Sequence, residues 1–168
     1  MQATDYLEMM TFDGAAKEPR PTRQLNQIVQ NLAKAFGEQR DGTAVALFTG
    51  VSGTGKTQAL RLLAELMKLP IYRIDLAGVV NKYIGETEKH LSRLLDHAAS
   101  LDCVLLFDEA DALFGTRTDA SDAHDRYANL DITYLLDKLE NYEGPVLMTT
   151  NRRRKLDETL SDRFRFVL

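Results

Sequence analysis

One stretch constrains this chain more than any other: Gly50-Val51-Ser52-Gly53-Thr54-Gly55-Lys56-Thr57. An apolar run, residues 44–48, precedes it, and an apolar-periodic segment, residues 60–69, follows. Strand, glycine-rich loop and helix in that order are the context that a phosphate-binding loop of the G-x-x-x-x-G-K-[ST] type requires. Glycines at 50, 53 and 55 let the backbone turn where a Cβ would block it. Successive N–H groups then point inward and cradle phosphate oxygens, at the positive end of the following helix. Lys56 is placed to reach β- and γ-phosphates, and the Thr57 hydroxyl to hold Mg²⁺. The predicted nucleotide-binding set is Gly50, Ser52, Gly53, Thr54, Gly55, Lys56, Thr57 and Gln58, joined by Asp108 from a later strand. ATP and Mg²⁺ are the expected cofactors.

The chain on either side reads as alternating helices and strands. Residues 1–21 have weak periodicity and end in Lys17-Glu18-Pro19-Arg20-Pro21, so they read as a flexible leader before a core over 22–168. Thr22 is placed to cap a helix with Leu25, Ile28, Val29, Leu32, Ala33 and Phe36 on one stripe. Buried strands are predicted at 44–48, 71–74, 103–107, 146–150 and 164–168. Helices are predicted at about 56–68, 86–100 and 126–142, with Leu91, Leu94, Leu95 and Ala98 facing inward on the second. This alternation predicts an α/β fold, a parallel sheet with crossover helices on both faces. Ligands of such sheets bind beyond the carboxyl ends of the strands.

Composition narrows the partners. The 168 residues suit one core of ordinary size, and 44% hydrophobic with 27% charged residues marks a globular chain. A formal net charge of −4 argues against nucleic acid as the main ligand; the cluster Arg152-Arg153-Arg154-Lys155 reads as a solvated loop. Cys103 is the one cysteine, in an apolar run, and reads as a small buried hydrophobe compatible with a cytoplasmic location. Neither a signal peptide nor a membrane span is expected. His90, His97 and His124 lack the arrangement of a zinc site.

Leu105-Leu106-Phe107-Asp108-Glu109 is an apolar strand that delivers two carboxylates to one edge. Asp108 is expected to hold Mg²⁺, directly or through water. Glu109 is expected to polarise a water for attack on the γ-phosphate. Asn151 ends another apolar strand and is the candidate for orienting that water.

These motifs together resemble the AAA+ ATPase family and, within it, the AAA group. The resemblance spans about residues 40–168. It rests on the loop 50–57, on Leu106-Phe107-Asp108-Glu109-Ala110-Asp111-Ala112-Leu113-Phe114, on Thr149-Thr150-Asn151, and on Leu156-Asp157-Glu158-Thr159-Leu160 running into Arg163-Phe164. It implies a P-loop NTPase core, a three-layer α/β/α sandwich whose five parallel strands run in the order 5-1-4-3-2. It also implies a ring of copies, usually a hexamer, with ATP between subunits. Arg163 then matches an arginine that reaches the neighbouring subunit's γ-phosphate, although Asp162 stands where relatives often carry a second arginine. Lys82-Tyr83-Ile84-Gly85-Glu86 resembles the pore loop of remodelling motors, which makes Tyr83 the candidate contact to a polypeptide client. The stretches 83–89 and 122–129 look nearest to AAA ATPases of bacterial contractile injection systems, whose client would be a particle component. Arg126, within the second, is a candidate contact to the adjacent subunit.

The expected activity is therefore Mg²⁺-dependent ATP hydrolysis that drives remodelling or assembly of a protein client. A nucleotide-dependent assembly scaffold with little hydrolysis is the first alternative, and a P-loop kinase the second. AAA+ proteins usually carry a helical lid after the last strand. With the sequence ending at Leu168, none is expected here, and weak nucleotide affinity and slow hydrolysis are expected of this chain alone.

Overall fold

A computed structural model of the chain describes residues 3–12, 20–38, 44–49, 55–76, 78–79, 87–110, 132–151, 164 and 166–167. Among them are the strands β1 (Leu7–Met9), β2 (Ala44–Thr49), β3 (Ile71–Ile74), β4 (Val104–Phe107), β5 (Pro145–Thr150) and β6 (Phe166–Val167). They form one sheet in the order β1-β3-β4-β5-β2-β6. The pairs among β2 to β6 are all parallel. Counting the five parallel strands alone, this is the expected 5-1-4-3-2 order, read from the other edge.

Side-chain alternation along the strands sorts the core into two layers. Val45, Leu47, Leu105, Phe107, Val146 and Met148 face one side of the sheet. Ala46, Phe48, Val104, Leu106 and Leu147 face the other. β4 is buried along its whole length, as a parallel strand covered on both faces must be. The first layer is closed by α3 (Thr87–Ser100), through Leu91, Leu94, Leu95 and Ala98, and by α4 (Ile132–Leu139), through Leu135, Leu136 and Leu139. The second is closed by α1 (Arg23–Glu38), through Val29, Leu32 and Phe36, and by α2 (Lys56–Met67), through Ala59, Leu60 and Leu63. The result is the expected three-layer sandwich.

Local chemistry sets the helix ends. The Leu25 N–H donates to Thr22 Oγ1 at 3.1 Å, so Thr22 does cap α1. α2 stops at Lys68, which turns left-handed (φ 54°) two residues before Pro70. α4 ends at Leu139, short of the expected 142, because Glu140 and Tyr142 bond back three residues, to Asp137 and Leu139, in tighter turns. The start predicted for that helix, 126–131, lies outside the described residues. Cys103 is buried just before β4, its thiol pushed up to about 11 mainly by that burial.

The leader departs from expectation. Residues 1–21 read as loose, yet β1 pairs with β3 and is antiparallel, so the sheet has six strands and is mixed. Tyr6 and Leu7 pack against one core layer, and Met10 and Phe12 against the other. The backbone joins in at both ends of β1: Met10 N–H donates to Ile71 O at 2.9 Å, and Asp75 N–H to Tyr6 O at 3.1 Å. Three paired residues are too short a run to carry a readable alternation, which is why the sequence pattern hides them. Deleting residues 1–12 removes four half-buried apolar side chains, each contributing about 1 kcal/mol at half the usual value for full burial. A loss of about 3–4 kcal/mol in urea denaturation is expected; unchanged stability would mean β1 adds nothing to the folded core.

Candidate functional site

Strand register brings the candidate residues to one edge. Thr49 lies opposite Thr150 across the β2–β5 pair, and Phe107 opposite Met148 across β4–β5. The residues that follow β4 and β5, Asp108-Glu109 and Asn151, therefore emerge side by side at the carboxyl ends, next to the end of β2.

Gly55 opens α2 in the left-handed region (φ 92°), and no side chain caps the helix there. A Cβ at that φ is strained, so glycine fits the turn, and glycine offers no side-chain acceptor at the cap position. Lys56, the first helical residue, reaches across the sheet edge. Its ammonium donates to Asn151 Oδ1 at 2.6 Å and to Thr150 O at 3.3 Å. Thr57 is exposed and Gln58 half-buried in the same turn.

The acid pair is built differently at its two members. Asp108 is half-buried and accepts a short hydrogen bond from the Thr149 hydroxyl. Glu109 is exposed, and its backbone sits at φ 53°, an uncommon conformation for a residue with a Cβ. Left-handed backbone costs roughly 1–2 kcal/mol. The Glu109 N–H, which donates to Thr149 Oγ1 at 3.0 Å, and the full burial of Ala110 next to it hold the turn in place. Arg73 of β3 stands on the other side of Asp108, 4.0 Å from Oδ2. It is engaged more closely by Glu8, directly opposite on β1, at 2.5 Å. That hydrogen bond is the main cause of a pKa raised above the ordinary arginine value.

Gly55, Lys56, Thr57, Asp108, Glu109 and Asn151 thus share one strand edge. Gly50, Ser52, Gly53 and Thr54 lie outside the described residues, as do Tyr83, Arg126, Arg163 and the cluster 152–155. The residues present fit a magnesium nucleotide: a helix N-terminus opened by glycine, an ammonium that donates to two neutral oxygens, a hydroxyl and a carboxylate.

The sequence profile described as the ATPase family associated with various cellular activities (AAA) matches residues 46–168. The chain belongs to the AAA family of ATPases. Its relatives include the "Uncharacterized AAA family ATPase y4kL" of Sinorhizobium fredii, 34% identical over 151 residues that cover 87% of this chain and 45% of that protein. The 26S proteasome subunit RPT4 of Saccharomyces cerevisiae is 28% identical over 160 residues, covering 90% of this chain and 37% of the relative. The AAA chain thus spans less than half the length of these relatives. The crystal structure of the FIGL-1 AAA domain superposes with a TM-score of 0.61 at 25% identity, over 98% of this chain and 57% of the other. A chain of the E. coli MS115-1 HORMA:CdnC:Trip13 complex shares the fold, with a TM-score of 0.58 at 23% identity, over 86% of this chain and 60% of that one. No described helix of this AAA core is long and apolar enough to cross a membrane.

Three members of the site were not among the predicted site residues: Thr149, Arg73 and Glu8. Arg73 had a signal, being a charge inside the short apolar run Ile71-Tyr72-Arg73-Ile74. Thr149 had a weaker one, a polar pair closing an apolar strand. Glu8 had none, because its strand was not foreseen.

Proposed function

We propose that this AAA core binds ATP and hydrolyses it with Mg²⁺, and that hydrolysis drives remodelling or assembly of a protein client. One observation carries the reading. The ammonium of Lys56 is bonded to the side chain of Asn151, 95 residues away, beside a strand end bearing Asp108 and Glu109. Such a meeting of cation, amide and paired acids is what γ-phosphate hydrolysis uses.

In this reading Lys56 binds β- and γ-phosphate oxygens, which compete with Asn151 and Thr150 for its ammonium. Thr57 and Asp108 would hold Mg²⁺, which supplies charge neutralisation to the phosphates when bound. Glu109 takes a proton from water as the water oxygen bonds to the γ-phosphorus. The bond from that phosphorus to the β–γ bridging oxygen breaks, giving ADP and inorganic phosphate. Asn151 orients the water. Arg163, by the family resemblance, adds positive charge from the neighbouring subunit, and Tyr83 contacts the client. A ring of copies and a contractile-injection-particle component as client rest on that sequence resemblance; a cytoplasmic location rests on the single buried cysteine.

Size and turnover measured on the same samples, with and without ATP and Mg²⁺, test the proposal. A nucleotide-dependent shift to a larger assembly with ATP turnover is expected. Mixing Arg163→Ala with Lys56→Ala subunits should restore part of the activity each lacks, since each variant spoils a different half of a shared site. Assembly without turnover would favour the scaffold reading, and turnover that needs an added acceptor would favour a kinase.

A further inference from the structure

Thr149 is buried, 1% exposed, one residue inside the carboxyl end of β5. A buried hydroxyl needs partners, and in a strand it can find them in a nearby backbone carbonyl. Here both bonds go instead to the acid pair on the neighbouring strand. The hydroxyl donates its single proton to Asp108 Oδ1 and accepts the Glu109 N–H at 3.0 Å. An ionised carboxylate is acceptor only, and a backbone N–H is donor only. A hydroxyl serves both at once from a single atom; valine serves neither.

We propose that Thr149 is a positioning residue that sets both acids of the site through one hydroxyl. Its donated bond fixes the rotation of the Asp108 carboxylate and leaves Oδ2 turned towards Arg73 and the strand edge. Its accepted bond holds the turn in which Glu109 is left-handed, and so the direction from which the Glu109 carboxylate enters the site. The inference deepens the hydrolytic reading and rests on it. The hydrogen bonds themselves do not depend on that reading.

The test compares the full chain with Thr149→Val, Thr149→Ala and Thr149→Ser, each checked for a cooperative thermal transition. Two quantities are read: steady-state ATP turnover, and the affinity of the ATP-bound protein for Mn²⁺ followed by its paramagnetic resonance. Loss of a residue that orients a metal ligand typically weakens metal binding or activity about 10- to 100-fold. Val and Ala are therefore expected to lose about that much in kcat and in Mn²⁺ affinity, with KM for ATP within about threefold, while Ser recovers both. Ala keeps the comparison open should Val disturb the packing. Equal Mn²⁺ affinity and kcat across all variants overturns the proposal. So does a Ser variant that folds but fails to recover, because the lost feature is then shape rather than the hydroxyl. A parent chain with no turnover overturns the hydrolytic reading alone; Mn²⁺ affinities that still separate Val and Ala from Ser would uphold the role of Thr149, and equal ones would end it.

Discussion

Glu109→Gln is expected to lower ATP turnover by about 10²- to 10⁴-fold, the usual contribution of a positioned general base, with ATP affinity within about threefold of the parent. The substitution suits this site for a geometric reason. Glutamine has the shape of glutamate and keeps the backbone N–H that donates to Thr149, so the left-handed turn at φ 53° persists. The side chain is exposed, so removing its charge leaves no buried group unpaired. What changes is that an amide cannot take a proton from water. A kinetic assay alongside a fluorescent-nucleotide titration reads both quantities. Turnover equal to the parent would remove Glu109 from the chemistry and leave Asp108 as the only described acid beside Lys56 and Asn151. A parallel loss of affinity would mean instead that Glu109 helps to build the binding site.

Much of this was legible in sequence because the signals are local. A loop of glycines before Lys56, a buried run before Asp108 and another before Asn151 each announce a strand end, and parallel topology places those ends together. The stripe on α3 and the cap at Thr22 are equally local, resting on i, i+3 and i+4 spacing. The contacts that were hidden are non-local. β1 contributes three residues, and its value lies in what it covers on β3 rather than in its own pattern. The Glu8–Arg73–Asp108 series crosses three strands, and each member alone looks like a surface charge. Thr149 lies in the Thr149-Thr150-Asn151 motif, but its part in the site shows only when the β4–β5 register, Phe107 opposite Met148, sets it beside Asp108. A left-handed glutamate was also beyond sequence, since glutamate does not favour that conformation and tertiary bonding imposes it.

Lys56→Met is expected to weaken ATP binding by about 10²- to 10⁴-fold. Hydrogen bonds to charged groups contribute about 1.5–3 kcal/mol each, and the loss of two to phosphate oxygens corresponds to that factor. In the free protein Asn151 Oδ1 and Thr150 O both receive the ammonium, at 2.6 and 3.3 Å. Methionine retains the alkyl stem, so α2 keeps its packing against the sheet. The same two contacts allow a purely structural account, in which Lys56 ties α2 to the end of β5 and binds nothing else. The accounts differ in what they move. If the ammonium serves phosphate, affinity in the fluorescent-nucleotide titration collapses while the melting temperature shifts little. Lys56 is half-buried, and water can replace it at both oxygens. If it serves the fold, the melting temperature falls and affinity per folded molecule holds. A lysine at the first turn of a helix is also poorly placed for stability, since its charge faces the positive end of the helix dipole. That placement is unfavourable until an anion arrives, which is why the larger effect is expected in binding.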